Sequence, residues 1–249
     1  MFRPVCSVIF IGIALTSLLV GCGGAGTDGL FATKAKFLNA ASSAQTVELR
    51  AVAAGQEVVV GSAIVQGVTP SVTINTDVAG GLVGQVTFKA KVGGTDRAEL
   101  AAAVTIGSHN TVIYATPLGG QAQPVLKVFP QDQTPNPAGQ FRFNLINMAT
   151  NLFQVPIDVY FLEAGASPQN QNPFFANIGL YGGSPYGTIP SIPAGARLAV
   201  TRFGQKVILK EIPFPNNSFT ASGTFSIILT DLNTDDTQIT LVDNSSTSP

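Results

Sequence analysis

Between residues 84 and 92 apolar and polar side chains alternate: Val86, Phe88, Ala90 and Val92 fall on one face, Thr87, Lys89 and Lys91 on the other. Period two is the signature of a strand with one wet face. Shorter runs of the same kind predict strands at 34–39, 46–52 and 57–64. Gly, Pro, Asn and Asp break these runs at short intervals, as they do between the strands of a sandwich. Residues 98–104, rich in alanine, predict the one helical turn of the chain.

At 131–139 the pattern stops in a segment bearing Pro135 and Pro137, directly after Pro130. Proline stiffens a connection and cannot continue a ladder, so 130–139 is expected to be a linker. The alternation then restarts with Phe141, Phe143 and Leu145 against Arg142 and Asn144. Further strands are predicted at 157–162, 196–202, 206–212, 224–231 and 238–242.

The restart has the form of an internal repeat. Phe37-Leu38-Asn39-Ala40 matches Leu145-Ile146-Asn147-Met148, and Val47-Glu48-Leu49 matches Ile157-Asp158-Val159. Thr111-Val112-Ile113-Tyr114 is set against Phe225-Ser226-Ile227-Ile228, and Val125-Leu126-Lys127-Val128 against Ile239-Thr240-Leu241-Val242. The expected fold is all-β: two tandem immunoglobulin-like sandwiches at 34–129 and 140–243, followed by a polar tail at 244–249. The alternative is one intimate sandwich whose halves share a single core.

The N-terminus follows a different rule. Arg3 precedes an uncharged apolar run at 8–20, which suits a signal segment and is shorter than the roughly 20 residues a spanning helix needs. The run ends in Leu19-Val20-Gly21-Cys22, which resembles the lipoprotein signal of bacteria: an aliphatic residue, a spacer, a small residue and the cysteine that receives lipid. The resemblance implies removal of 1–21, a diacylglycerol thioether on Cys22, and a flexible Gly-rich tether over 22–33. It also implies an extracytoplasmic chain held to a membrane. Gly23, where an Asp resembles an inner-membrane retention signal, points to the outer membrane.

The chain has two cysteines, Cys6 and Cys22. On this reading neither is available for an internal disulfide, so the fold must be held by its cores. The net charge is −1 and only 11% of residues are charged, with no basic run, which argues against nucleic acid as a partner. An apolar fraction of 45% argues against disorder.

Ile157-Asp158-Val159-Tyr160, Leu180-Tyr181-Gly182, Pro185-Tyr186 and Ile192-Pro193-Ala194-Gly195 are similar to the domain of unknown function 4397. That family looks like a repeat found on exported bacterial proteins, often in tandem, and the resemblance brings no activity with it. It covers residues 140–243; the first half departs from the pattern, with Glu48 in place of the Asp and no Tyr-Gly or Pro-Ala-Gly element.

No constellation of residues predicts catalysis. The single histidine, His109, has Ser108 beside it and Asp96 or Asp77 as orienters, but neighbours on a strand point to opposite faces. Zinc needs clustered Cys, His or carboxylate ligands that the chain lacks. Asp231, Asn233, Asp235 and Asp236 alternate as calcium ligands would, but Asp236 and Val242 stand where an EF-hand wants Gly and Glu, so an Asx-rich turn is the better reading. The carboxylate pairs Asp158 with Glu163 and Glu48 with Glu57 define no cleft, and Asp158 is expected to make a structural hydrogen bond or to serve solubility. No catalytic residue, metal or cofactor is therefore expected. Phe174, Phe175, Tyr181 and Tyr186, among glycines, form the one stretch with the make-up of a binding loop, although packing in the sandwich explains the same residues.

Taken together, the residues predict a non-enzymatic, lipid-anchored envelope protein that binds, adheres or supports an assembly. Its partners would be the membrane, through Cys22, and an envelope protein or glycan. The alternative is a surface carbohydrate-processing hydrolase, which would need two facing carboxylates in a deep polar cleft.

Overall fold

A computed structural model describes residues 32–42, 45–76, 82–116, 123–150, 154–192, 194–214, 222–233 and 236–244. Cys22, the signal segment, the tether up to residue 31 and the tail beyond Asn244 lie outside the described residues.

The first half consists of β1 (Ala32–Asn39), β2 (Val47–Ala53), β3 (Gln56–Ala63), β4 (Val72–Asn75), β5 (Val83–Val92), β6 (Thr95–Thr105), β7 (His109–Ala115) and β8 (Val125–Pro130). The second half consists of β9 (Phe141–Asn147), β10 (Ile157–Leu162), β11 (Phe175–Ile178), β12 (Gly187–Ile189), β13 (Arg197–Arg202), β14 (Ile208–Pro213), β15 (Thr224–Asn233) and β16 (Asp236–Asp243). The strands of the first half form two four-stranded sheets, in the orders β4-β1-β7-β8 and β3-β2-β5-β6. Those of the second form β12-β9-β15-β16 and β11-β10-β13-β14. Strand for strand, the two halves have the same topology. Each is a two-sheet β-sandwich, and the segment with Pro135 and Pro137 falls between β8 and β9.

The alternation read in β5 is realised: Val86, Phe88 and Ala90 are buried, while Thr87, Lys89 and Lys91 are half-buried on the outer face. The helical turn expected over 98–104 is instead strand β6, which pairs with β5 from Val83 opposite Thr105 to Val92 opposite Thr95. Alanine favours helix only weakly, and a ladder of that length overrides it. Short edge strands β4, β11 and β12 were not anticipated in the sequence. Among the described residues the only helical element is the 3-10 turn Pro168–Asn170 in the β10–β11 connection.

The ladders correct the register of the repeat. Strand β1 runs parallel to β7 with Leu38 opposite Ile113, and β9 runs parallel to β15 with Ile146 opposite Ile228. Leu38 corresponds to Ile146, so Ile113 corresponds to Ile228, not to Ile227. By the same reasoning Leu126, opposite Tyr114, corresponds to Ile239, opposite Leu229. The matched pairs of the sequence are each out by one residue there, a shift that exchanges the two faces of a strand. The corresponding asparagines do share a role: Asn39 and Asn147, both fully buried, each accept the N–H two residues on, from Ala41 at 3.1 Å and Ala149 at 3.2 Å.

Each sandwich has its own core. Phe37, Leu49, Phe88, Val112 and Tyr114 fill the first. Phe143, Val159, Leu198, Ile227 and Leu229 fill the second, with Phe143 edge-on to Phe214 at 5.6 Å. A third cluster joins the halves: Leu38, Ala40, Ile113 and Ala115 from the outer face of β1 and β7 meet Ile146, Met148, Ile228 and Val242 from β9, β15 and β16. The corresponding residues Leu38 and Ile146, and Ile113 and Ile228, all have 0% exposure. Lys36 adds a hydrogen bond from its Nζ to the Asp243 carbonyl. The molecule is thus a stack of four sheets with an apolar layer in every gap. It combines the expected tandem sandwiches with a shared core that neither sequence alternative describes.

Candidate interaction surface

At one end of the second sandwich the β13–β14 hairpin and the chain entering β10 carry apolar side chains into solvent. Val155 is 44% exposed, Phe203 55%, Val207 69% and Leu209 43%. The backbone ties the two segments together, since the Phe203 N–H donates to the Pro156 carbonyl at 2.9 Å. Gly204 turns the chain at φ +73°, a conformation open to glycine at little cost.

Asp158 fixes this end from below. It is 3% exposed, and its two carboxylate oxygens accept from different segments: Oδ1 from the Asn177 N–H and Oδ2 from the Gly204 N–H, both at 2.9 Å. Asn177 has φ +57°, a left-handed conformation that asparagine tolerates and that aims its amide at the carboxylate. The structural hydrogen bond expected of Asp158 is therefore a double one, joining β11 to the β13–β14 turn. Lys206, in the same turn, lies with Nζ 4.7 Å from the centre of the Tyr160 ring and donates to the Gln171 carbonyl. Phe203 and Val207 are thus mounted on a turn held at both ends, with Val155 before β10 and Leu209 in β14.

Glu48 occupies the corresponding place in the first sandwich and behaves differently. It accepts from Arg50 Nε at 2.5 Å, while Arg50 Nη1 bonds Glu57 at 2.6 Å on the exposed face of the sheet. The hydrogen bond from Arg50 holds the Glu57 carboxyl below the usual carboxylate range. Neither carboxylate pair weighed in the sequence forms a facing couple: Asp158 is absorbed by backbone amides, and Glu48 and Glu57 share one arginine.

The remaining chemical candidates resolve in the same way. Ser108 is bonded to Thr33 and Asn110: Asn110 Nδ2 donates to its Oγ at 2.9 Å, and its hydroxyl lies in hydrogen-bond contact with that of Thr33 at 3.1 Å. Asp96 stands 3.7 Å from Lys91 at the start of β6, and Asp77 lies outside the described residues. Burial, followed by the charges of Lys34 and Lys36, lowers the pKa of His109 below its ordinary 6.5. Asp231 Oδ2 accepts from the Thr150 N–H at 2.6 Å and its hydroxyl at 2.7 Å. Asp236 meets Lys210 at 2.5 Å and accepts from the Thr237 N–H at 2.9 Å, while Asp235 lies outside the described residues. Asp231 and Asp236 thus hold neighbouring segments, Thr150 and Lys210, in place. Among the described residues no group of three or more His, Cys, Asp or Glu is placed to hold a metal ion.

The four aromatic residues singled out in the sequence do not come together as one loop. Phe175 belongs to β11 and is 3% exposed in the second core. Phe174 stacks edge-on against it at 4.6 Å and closes over Gly187, where a Cβ would lie 2.7 Å from the Phe174 ring. Tyr181, at φ +58°, packs into the third cluster between the sandwiches, and burial raises its pKa above the ordinary 10.0. Tyr186, half-buried, packs into none of the apolar clusters: its ring lies 5.5 Å from the Arg142 guanidinium carbon, and its hydroxyl accepts from Asn244 at 3.2 Å. Beside it, Asp132, Thr134, Asn136, Thr224 and Asn244 line a polar recess of about 180 Å³ under the linker. Arg142 bonds Asp132, whose carboxyl is raised by burial but lowered on balance by hydrogen bonds from Thr134 and Arg142.

The apolar end was missed in the sequence. The signal for it was present: Val155-Pro156 and Phe203-Gly204 put large apolar residues next to turn formers, where polar side chains are usual.

No family model matches the chain, and no curated protein matches it. Among solved structures the chain is similar to one described as "a putative adhesin from Bacteroides ovatus", at 8% identity and a TM-score of 0.22, covering 87% of this chain and 96% of that one. A likeness at that TM-score carries no argument about fold or function.

Proposed function

We propose that this chain is a lipid-anchored, extracytoplasmic protein of a bacterial envelope, and that its work is binding or adhesion, not catalysis. The observation that carries this reading is the apolar end formed by Val155, Phe203, Val207 and Leu209, exposed yet clamped by the buried Asp158. A surface already ordered before contact loses little entropy on binding, which is what a recognition surface requires. Exposed apolar groups gathered at one end of a domain also mark contact sites more often than singly scattered ones do. An envelope protein fits such a surface better than a glycan.

The address rests on Leu19-Val20-Gly21-Cys22, and membership among domain of unknown function 4397 proteins on the elements quoted from the second half. Both belong to the proposal. Intact mass and detergent partitioning of the native protein, beside a Cys22→Ser variant, test it. A lipid-bearing chain beginning at Cys22, with the lipid lost in the variant, is the expected result. An unlipidated chain cut elsewhere and found only in the aqueous phase would overturn the anchor.

A further inference from the structure

Open sheet edges are the places where a sandwich can join another chain, and here most of them are guarded. Strands β4, β11 and β12 have four, four and three residues and offer a further strand only a short template. Strand β8 carries Lys127 and ends at Pro130, and β14 carries Lys210, Glu211 and Pro213. Strand β3 is interrupted by an irregularity beside Gly61, opposite Leu49. Strand β16 has an uncharged run, but its side chains there are buried or half-buried.

Strand β6 carries Asp96, Arg97 and Glu99 in its first half, but its second half differs from all of these. It is the longest edge strand among the described residues, with 11 residues, and its last six, Leu100 to Thr105, carry no charge, proline or glycine. Beside it, between β6 and the neighbouring edge β8, lies a recess of about 320 Å³ lined mainly by Leu100, Ala102, Val104 and Val128, with Lys127 and Asn110 also in its wall. The corresponding seam of the second sandwich, between β14 and β16, is bridged by the Lys210–Asp236 ion pair at 2.5 Å. One sandwich has its seam spanned by charge; the other leaves an apolar seam beside an unguarded edge.

We infer that β6 is a self-association edge, pairing antiparallel with β6 of a second copy of this chain about a two-fold axis through Ala102. In that register Leu100 faces Val104, Ala101 faces Ala103, and Glu99 faces Thr105, so no like charges meet along the strand. The inward residues Leu100, Ala102 and Val104 of each copy then extend the apolar seam of the other. A second copy is favoured over a foreign peptide because the segment is complementary to itself about its own centre. The inference stands apart from the apolar end of the second sandwich, and its test does not depend on lipid.

The test is sedimentation equilibrium of the full chain carrying Cys22→Ser, which removes any lipid or disulfide at that residue. The expected result is twice the monomer mass. Ala101 and Ala103 are exposed, so they accept charged side chains without loss of the fold. Ala101→Lys with Ala103→Lys sets lysines opposite one another across the axis and is expected to give the monomer mass. Ala101→Lys with Ala103→Glu sets each lysine opposite a glutamate and is expected to restore the dimer. A monomer for the unaltered edge, a dimer indifferent to the paired lysines, or a lysine–glutamate variant that stays monomeric would each overturn the proposal.

Discussion

Single side chains decide whether a surface position is a reactive group or a brace, and Asp158 shows how. Each of its oxygens accepts from a backbone amide at 2.9 Å, so it ties two segments together, and its removal takes the acceptor from both. Asp158→Ala is expected to cost about 1–3 kcal/mol, the range for losing hydrogen bonds to a charged group, because both amides sit on exposed residues that water reaches. The corresponding Glu48→Ala breaks a half-exposed ion pair and should cost under about 1 kcal/mol. Urea unfolding of both variants checks the contrast, and equal losses would refute it. His109 sets a pH dependence. Its folded-state pKa lies below 6.5, so folding favours the neutral ring. The stability it contributes is fully present above pH 6.5 and declines as pH falls through that value toward the folded-state pKa. Thermal unfolding across that range should show the decline, and His109→Gln should remove its share.

At the scale of the element, what could be read in advance depended on how many faces a strand buries. Where one face is wet, as in β5, alternation located the strand within a residue of its ends. Strands β7 and β15 are apolar on both faces: Val112, Ile113, Tyr114 and Ala115 are all buried, as are Ile227, Ile228 and Leu229. With no polar face to mark the register, the repeat was aligned one residue out. Those continuous runs were themselves the sign of a third apolar layer, since a strand of an isolated sandwich should alternate. The short edge strands β11 and β12 were hidden among aromatics and glycines, which is why their residues read as a binding loop. Their packing makes a prediction. Gly187→Ala drives a Cβ to within 2.7 Å of the Phe174 ring and should destabilise by about 1–3 kcal/mol, as overpacking does. At the apolar end, Phe203→Asp should change stability by less than about 0.5 kcal/mol because the side chain is exposed. A large loss in calorimetry would show that Phe203 packs instead of being presented.

At the scale of the whole molecule, the two repeats are built as one body. Each buries its own core, and the outer faces of β1 and β7 meet those of β9 and β15 through corresponding residues. Sheet faces that would be wet in a single sandwich cover each other here, which suits a chain with only 11% charged residues. It also fixes the apolar end of the second sandwich relative to the first. Ile146 lies at the centre of this joint, and Ile146→Ala should cost about 2–5 kcal/mol by leaving a cavity between the halves.

The measurement that bears most directly on this account is hydrogen exchange of the amides in β7 and β15, resolved by mass, in the unaltered chain and in Ile146→Asp. If the stack is one cooperative body, the slowest amides of both halves exchange with a single shared opening free energy. Burying an unpaired carboxylate between the sandwiches should then separate them into two values. Two distinct opening energies in the unaltered chain, or a shared value untouched by Ile146→Asp, would contradict the stacked body.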